Sequence, residues 1–188
     1  MSDSRNENSI IAEKKTLRKA IIKGINSLDA KIKRKASESI SNKLTKLIRS
    51  DSTVLCYYPL RSEPDILPVI QHWLESNFRV CLPKVERNKI KCYAINETES
   101  LISSSMGILE PNSSNKIISS KEIDFIIVPG IGFTLEGKRL GRGGGLYDKF
   151  LNQILPQTLK IGVAFKLQVL DKMPTQNHDM SVDLLITE

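Results

Sequence analysis

Residues 123–130 read IDFIIVPG, four consecutive apolar residues from Phe125 to Val128 closed by a Pro-Gly pair. A strand with no polar residue on either alternate face is covered on both sides, and Pro-Gly ends it sharply. The chain must therefore supply helices for two faces of a sheet. Other segments fit that demand. TVLCYYP (53–59), FRVCLP (78–83, stopped by Pro83), LKIGVAF (159–165) and VDLLITE (182–188) read as strands, and KIKCYAI (89–95) as an alternating one. DILPVIQHWLES (65–76) reads as a helix with Ile66, Val69, Ile70 and Trp73 inward, and the Ser- and Asn-rich segment 96–120 as a short helix plus loop. Strands alternating with helices predict an α/β fold, a three-layer sandwich around a mainly parallel central sheet.

Two basic helices precede this alternation. Ile10, Leu17, Ile21, Ile25 and Leu28 recur every three or four residues, with Ser9 as a cap. Asp29 caps a second helix, with Ile32, Ala36, Ile40, Leu44 and Leu47 on one face. Residues 1–8 read as a flexible tail and 9–188 as a single domain.

The charge is uneven. Residues 1–49 hold thirteen Lys/Arg against five acids, a net of +8, whereas the whole chain carries +7. A basic end suits a polyanion, either nucleic acid or a nucleotide, although solvated helix faces account for most of these lysines. No aromatic residues interleave with the basic ones, so nucleic acid is not expected. The apolar runs are too short to span a bilayer and the polar N-terminus is no secretory signal, so the expectation is a cytoplasmic protein without membrane contact. Cys56, Cys81 and Cys92 stand singly, as reduced buried thiols do. His72 and His178 have no thiol at ligand spacing, which argues against zinc.

The stretch GKRLGRGGGLYD (137–148) carries the chemistry. GFTLEGKR (132–139) has the spacing of a phosphate-binding P-loop but Arg139 in place of its Ser or Thr, and Leu146 breaks a dinucleotide GxGxxG counted from Gly141. The physics outlasts both failed templates. Gly141, Gly143, Gly144 and Gly145 let backbone amides approach an anion, and Leu146, Phe150, Leu151 and Ile154 continue at helical spacing. The loop thus leads into a helix N-terminus, and Lys138, Arg139 and Arg142 add full charges. The alternative is an exposed hairpin with chance glycines. Asp148 would repel a polyphosphate unless a cation lay between them, and magnesium takes one or two carboxylates plus phosphate oxygens.

VPGIGFTLEGKRLGRGGGLYDKFL (128–151) closely resembles the signature region of the 5-formyltetrahydrofolate cyclo-ligase family. EKKTLRK (13–19), YYPLRSEPD (57–65), Leu82-Pro83 and the ending GVAFKLQVLDKMPTQNHDMSVDLLITE (162–188) resemble its other motifs, in family order. The resemblance implies a ligase that converts 5-formyltetrahydrofolate to 5,10-methenyltetrahydrofolate with ATP and Mg²⁺, releasing ADP and phosphate. Carried over by position, Lys14, Lys15, Arg18, Arg139, Leu140, Gly141, Arg142, Gly143, Gly144, Gly145, Leu146 and Tyr147 lie at ATP. Tyr58 and Glu63, with Arg142, Gly143, Gly144, Gly145 and Leu146, border the folate. Asp148 and Asp179 hold the metal, and Arg139 and Asp148 are the catalytic pair. Phe133 and Tyr147 are candidates to flank an aromatic ligand, although packing is the default for each. The sequence departs from the family at Leu146, usually a second tyrosine, at Lys149, commonly arginine, and at Gly144, where the family varies. A monomer is expected, and its surplus lysines would attract polyglutamylated folates. Asp148→Ala is expected to remove turnover and leave the fold intact.

Overall fold

The computed structural model describes residues 2–98, 100–104 and 107–188, with side chains from residue 7 onward. Helix α1 (Ser2–Ser27) starts ahead of Ser9, which lies inside it: no Pro or Gly precedes Gly24, so nothing in the sequence stops the helix from extending back. Of the expected tail, residues 2–8 are helical and Met1 lies outside the described residues. Helix α2 (Ala30–Leu47) is capped by the Asp29 carboxylate, which accepts from the Lys31 N–H at 2.7 Å. Its apolar stripe is buried at Ala36, Ile40 and Leu44 and continues to Ile48 at its C-cap; Ile32 and Leu47, expected inward, are exposed, Leu47 because the stripe passes to Ile48 instead.

The chain then forms β1 (Thr53–Leu55), α3 (Leu67–Glu75), β2 (Arg79–Glu86), β3 (Lys89–Ala94), β4 (Ile102–Ser103), β5 (Leu109–Glu110), β6 (Ile117–Ile118), β7 (Phe125–Val128), β8 (Gly132–Phe133), β9 (Arg139–Leu140), α4 (Leu146–Leu151), β10 (Leu159–Val163) and β11 (Leu184–Ile186). Seven strands make the main sheet in the order β11-β10-β7-β1-β2-β3-β6. The first five run parallel; β3 and β6 are antiparallel additions at one edge. The segment 96–120 has no α-helix among its described residues. Its apolar residues come in adjacent pairs, Leu101-Ile102, Ile108-Leu109 and Ile117-Ile118, too far apart for one helix face, and the short strands they form pair as β4 with β5 and β6 with β3.

Alternation along each strand sorts side chains into two cores. Val54, Cys56, Val80, Leu82, Ile127 and Ile161 face α2 and α3, where Trp73 is fully buried. Leu55, Cys81, Ile126 and Val128 face the opposite way, against Phe150 and Leu151 of α4. These are the three expected layers. A third cluster docks α1 through Ile21 and Ile25 against Ile131, Leu140 and Phe165. Phe133 belongs to the second core rather than to a ligand site: its ring fills the space above Gly162, where an added Cβ would lie 2.7 Å from Cε1. Among the described residues no helix is long and apolar enough to cross a membrane.

One departure shapes the site. Strand β2 does not stop at Pro83 but runs on to Glu86, with Pro83 opposite Cys92 of β3. The Val80 carbonyl accepts from Ile95 on the β3 side and the Cys81 carbonyl from Cys56 on the β1 side. Alternation therefore points the Pro83 nitrogen toward β1, which has already ended, so no ladder bond is missed. The β2–β3 hairpin thus projects beyond the sheet, turning at Arg87 and Asn88 with φ of 47° and 62°.

Burial pushes the Cys81 and Cys92 thiols up to about 12 and raises Cys56 well above the ordinary thiol range. A disulfide reagent at pH 8 is expected to modify none of the three in the folded protein and all three in guanidinium. Their folded pKa values lie above the unfolded ones, so their contribution to stability is complete below about pH 9 and lost as pH rises toward about 12. Urea midpoints should fall over that window.

Candidate functional site

Because β1, β2, β7 and β10 are parallel, their carboxyl ends open on one side, where ligands of α/β sheets bind. A cavity of about 240 Å³ occupies that side. Tyr57 and Tyr58 after β1 and Pro129 after β7 form its floor, Pro83, Val85 and Ile90 of the projecting hairpin one wall, and the 139–148 segment the other. The hairpin and Leu109 of β5 were not singled out from sequence, although Val85 and Ile90, apolar residues flanking a tight turn, were the available signal.

The glycine loop is held from beneath. Arg139, with a side chain 2% exposed, donates to Asp148 Oδ1 at 2.6 Å and to the Pro129 carbonyl at 3.3 Å. Its guanidinium also lies 5.8 Å from the Tyr147 ring centroid. Its Nε is buried without a partner among the described residues. Gly143 (φ 102°) and Gly145 (φ 63°) take backbone conformations that residues with a Cβ resist. The N–H groups of Gly143, Gly144 and Gly145 have no acceptor among the described residues. Helix α4 follows at once but ends at Leu151, short of Ile154.

Helix α1 reaches the same place from the far end of the sequence. Arg18 Nε donates to the Gly141 carbonyl at 2.7 Å, fixing the start of the loop. Lys14 Nζ donates to Asp179 Oδ2 at 2.5 Å and to Gln176 Oε1 at 3.1 Å, and the Gln176 N–H also binds that carboxylate oxygen at 2.7 Å. Gln176 is a second residue the sequence reading missed. The Met180 N–H donates to Asp148 Oδ1 at 3.1 Å, which brings the two acids together. Lys15 and Lys138 are exposed, and their side chains have no partner among the described residues. Leu140 is buried against α1 with its carbonyl taken by the Ile131 N–H, so neither its side chain nor its carbonyl faces the cavity. His178 is exposed, 4.0 Å from Asp179 Oδ1.

Glu63 closes the cavity on the β1 side. Its side chain is 4% exposed; Oε2 accepts from the Leu60 N–H at 3.0 Å and Oε1 from Arg142 Nη2 at 2.8 Å. Buried Tyr57 and half-buried Tyr147 flank it, and both phenols are raised above the ordinary tyrosine range, first by desolvation and then by the Glu63 charge. The site therefore joins an apolar slot ending in a buried carboxylate to a basic loop with free amides and two more carboxylates.

The residues suit a magnesium ion. The described residues contain no group of three or more His, Cys, Asp or Glu that could hold a metal alone. Asp148 and Asp179 each keep one oxygen, Oδ2 and Oδ1 respectively, with no hydrogen bond among the described residues. Two carboxylate oxygens completed by phosphate and water match magnesium's habit.

A sequence profile described as "5-formyltetrahydrofolate cyclo-ligase family" matches residues 10–188. The chain belongs to the 5-formyltetrahydrofolate cyclo-ligase family. It is 29% identical over 181 residues to the 5-formyltetrahydrofolate cyclo-ligase of Mycolicibacterium smegmatis, covering 93% of each chain. It is also 29% identical to that of Mycoplasma pneumoniae, covering 94% of this chain and 99% of the relative. The NMR structure of Aquifex aeolicus 5,10-methenyltetrahydrofolate synthetase superposes with a TM-score of 0.82 at 34% identity, covering 92% of this chain and 88% of that one. The cyclo-ligase motifs gather at the cavity described above: Tyr58, Glu63 and the 139–148 segment line it, and Lys14, Arg18 and Asp179 stand behind the loop.

Asp148 neutralises a buried guanidinium, so Asp148→Ala is expected to cost stability as well as turnover. Removing one partner of a buried pair costs about 3–5 kcal/mol. Urea unfolding should show a loss of that order for Asp148→Ala, and less than half of it for Asp148→Asn, whose amide oxygen still accepts from Arg139 and Met180.

Proposed function

We propose that the protein converts 5-formyltetrahydrofolate to 5,10-methenyltetrahydrofolate, consuming ATP with Mg²⁺ and releasing ADP and phosphate. One observation carries this reading: the apolar slot ending in Glu63 opens directly onto the free amides of the glycine loop and the carboxylate pair. A pterin presents N–H donors to a buried carboxylate and a flat face to apolar walls, and a triphosphate meets the loop. Relatives named for this conversion support the reading.

The formyl oxygen takes the γ-phosphoryl group and ADP leaves. The folate's N10 then attacks the formyl carbon and loses its proton, and phosphate departs with the former formyl oxygen as the ring closes. Substrate atoms do the bonding, so the chain's task is position and charge. Arg139 keeps Asp148 aimed and fixes the floor of the loop; Lys14 does the same for Asp179 and adds a positive charge beside it. Arg18 holds the Gly141 carbonyl back, leaving the amides of Gly143 to Gly145 forward for phosphate. Bound magnesium, held by Asp148 Oδ2 and Asp179 Oδ1, would neutralise phosphate charge. Leu146, which lines the cavity, keeps apolar contact with the ring but offers it no hydroxyl.

An absorbance assay for the methenyl product is expected to give signal only with ATP, Mg²⁺ and folded protein; no product from folded protein would overturn the assignment. Asp148→Asn should lower turnover by on the order of 100-fold or more. Glu63→Gln should raise the folate KM about tenfold, the loss of one charge-assisted hydrogen bond, and the ATP KM less than about twofold.

A further inference from the structure

Arg142 occupies the place that the folate must take on Glu63. Its Nη2 donates to Glu63 Oε1 at 2.8 Å and to Ser62 Oγ at 3.2 Å, while Leu60 holds Oε2, so the buried carboxylate has hydrogen bonds at both oxygens. The pair joins residues 79 positions apart and spans the cavity from the β1 loop to the glycine loop. Its two ends are mounted differently. Glu63 is 4% exposed in a turn closed by its own N–H to the Leu60 carbonyl, whereas the Arg142 side chain is 46% exposed. Arg142 immediately precedes Gly143, Gly144 and Gly145, which have no Cβ to restrict the backbone conformations open to that stretch. The Arg142 Nε and Nη1 have no partner among the described residues, so the guanidinium retains donors for a second anion.

We propose that Arg142 is a positioning residue that couples the two substrate sites: it caps Glu63 until a triphosphate on the glycine loop draws it away and uncovers the carboxylate for the pterin. This rests on the function proposed above. A polyphosphate offers Arg142 more negative charge than Glu63 alone, and arginine holds phosphate oxygens in a fork. The Glu63 carboxylate, left buried, then needs a new donor, and a pterin N–H supplies one. By linkage each substrate strengthens the other's binding by the same factor. Free folate and Arg142 compete for one oxygen, so without nucleotide the pterin binds weakly.

The test is calorimetric titration of 5-formyltetrahydrofolate into the full chain, with and without Mg²⁺ and a non-hydrolysable ATP analogue. Wild type should bind folate about tenfold tighter with the analogue. Arg142→Met should bind folate without nucleotide at least as tightly as wild type does, with the analogue changing its Kd less than about twofold. Arg142→Lys, which keeps a charge but loses the fork, should couple to an intermediate degree, and it stands in if the Met variant proves unfolded by circular dichroism. Equal wild-type affinities in both conditions, or coupling intact in Arg142→Met, overturn the inference and leave the function standing. Weaker nucleotide-free binding by Arg142→Met also overturns it, since Arg142 would then be a direct folate contact. Failure of wild type to bind folate under either condition removes the proposed function and this inference together.

Discussion

A guanidinium with almost no access to water must have an anion, and the functional end of this protein is arranged around that need. Arg139 leaves the short β9 strand beneath the cavity, meets the carbonyl that ends β7, and finds its carboxylate on the first turn of α4. These contacts fix the two ends of the glycine loop relative to the central strand, and the residues between are left to adopt positive φ. A neutral residue at 139 would relieve the desolvation of a charge, but the loop would lose its floor and Asp148 its direction. Stability and preorganisation pull against each other here, and the buried Nε without a partner marks the cost of holding the guanidinium in place.

The second organising constraint is the parallel sheet. Parallel strands direct their carboxyl ends to one side, so chain segments that follow β1 and β7 converge without being neighbours in sequence. Tyr58 and Glu63 reach the glycine loop by this route. On the other side of the cavity the antiparallel hairpin continues where the parallel strands have stopped, supplying Pro83, Val85 and Ile90 as an apolar wall. The slot is the space between an ordinary α/β core and this extension.

Much of this was legible in the sequence. The doubly covered strand at 125–128, the amphipathic faces of α1 and α3 and the Asp29 cap follow from periodicity and capping alone. That the glycine loop leads straight into a helix with Asp148 in its first turn follows from spacing, whereas the pairing of Asp148 with Arg139 does not. Three further things did not follow, each for a physical reason. Pro83 reads as a stop because the sequence does not say which neighbour its nitrogen faces; only the early end of β1 makes it harmless. Which apolar residues of α2 meet the next layer, Ile48 rather than Leu47 and none at Ile32, is a tertiary fact. The partners of Glu63 and Asp179, namely Arg142 and Lys14, lie 79 and 165 residues away. Family resemblance marks all four residues, yet gives no hint that they are already paired with one another.

That last separation has a consequence for the protein's biosynthesis. Lys14 is translated well before its carboxylate partner, which lies 165 residues behind it. Until the segment around Asp179 has left the ribosome, α1 carries a lysine without its counter-charge. Cluster contacts with Phe165 also await late translation. Strands β1, β2 and β7 with their helices can collapse earlier, since domains condense from the segments already available. The glycine-loop end of the site is therefore closed by the meeting of early and late chain. A nascent protein could hold a formed sheet and glycine loop while still lacking the clasp that completes them.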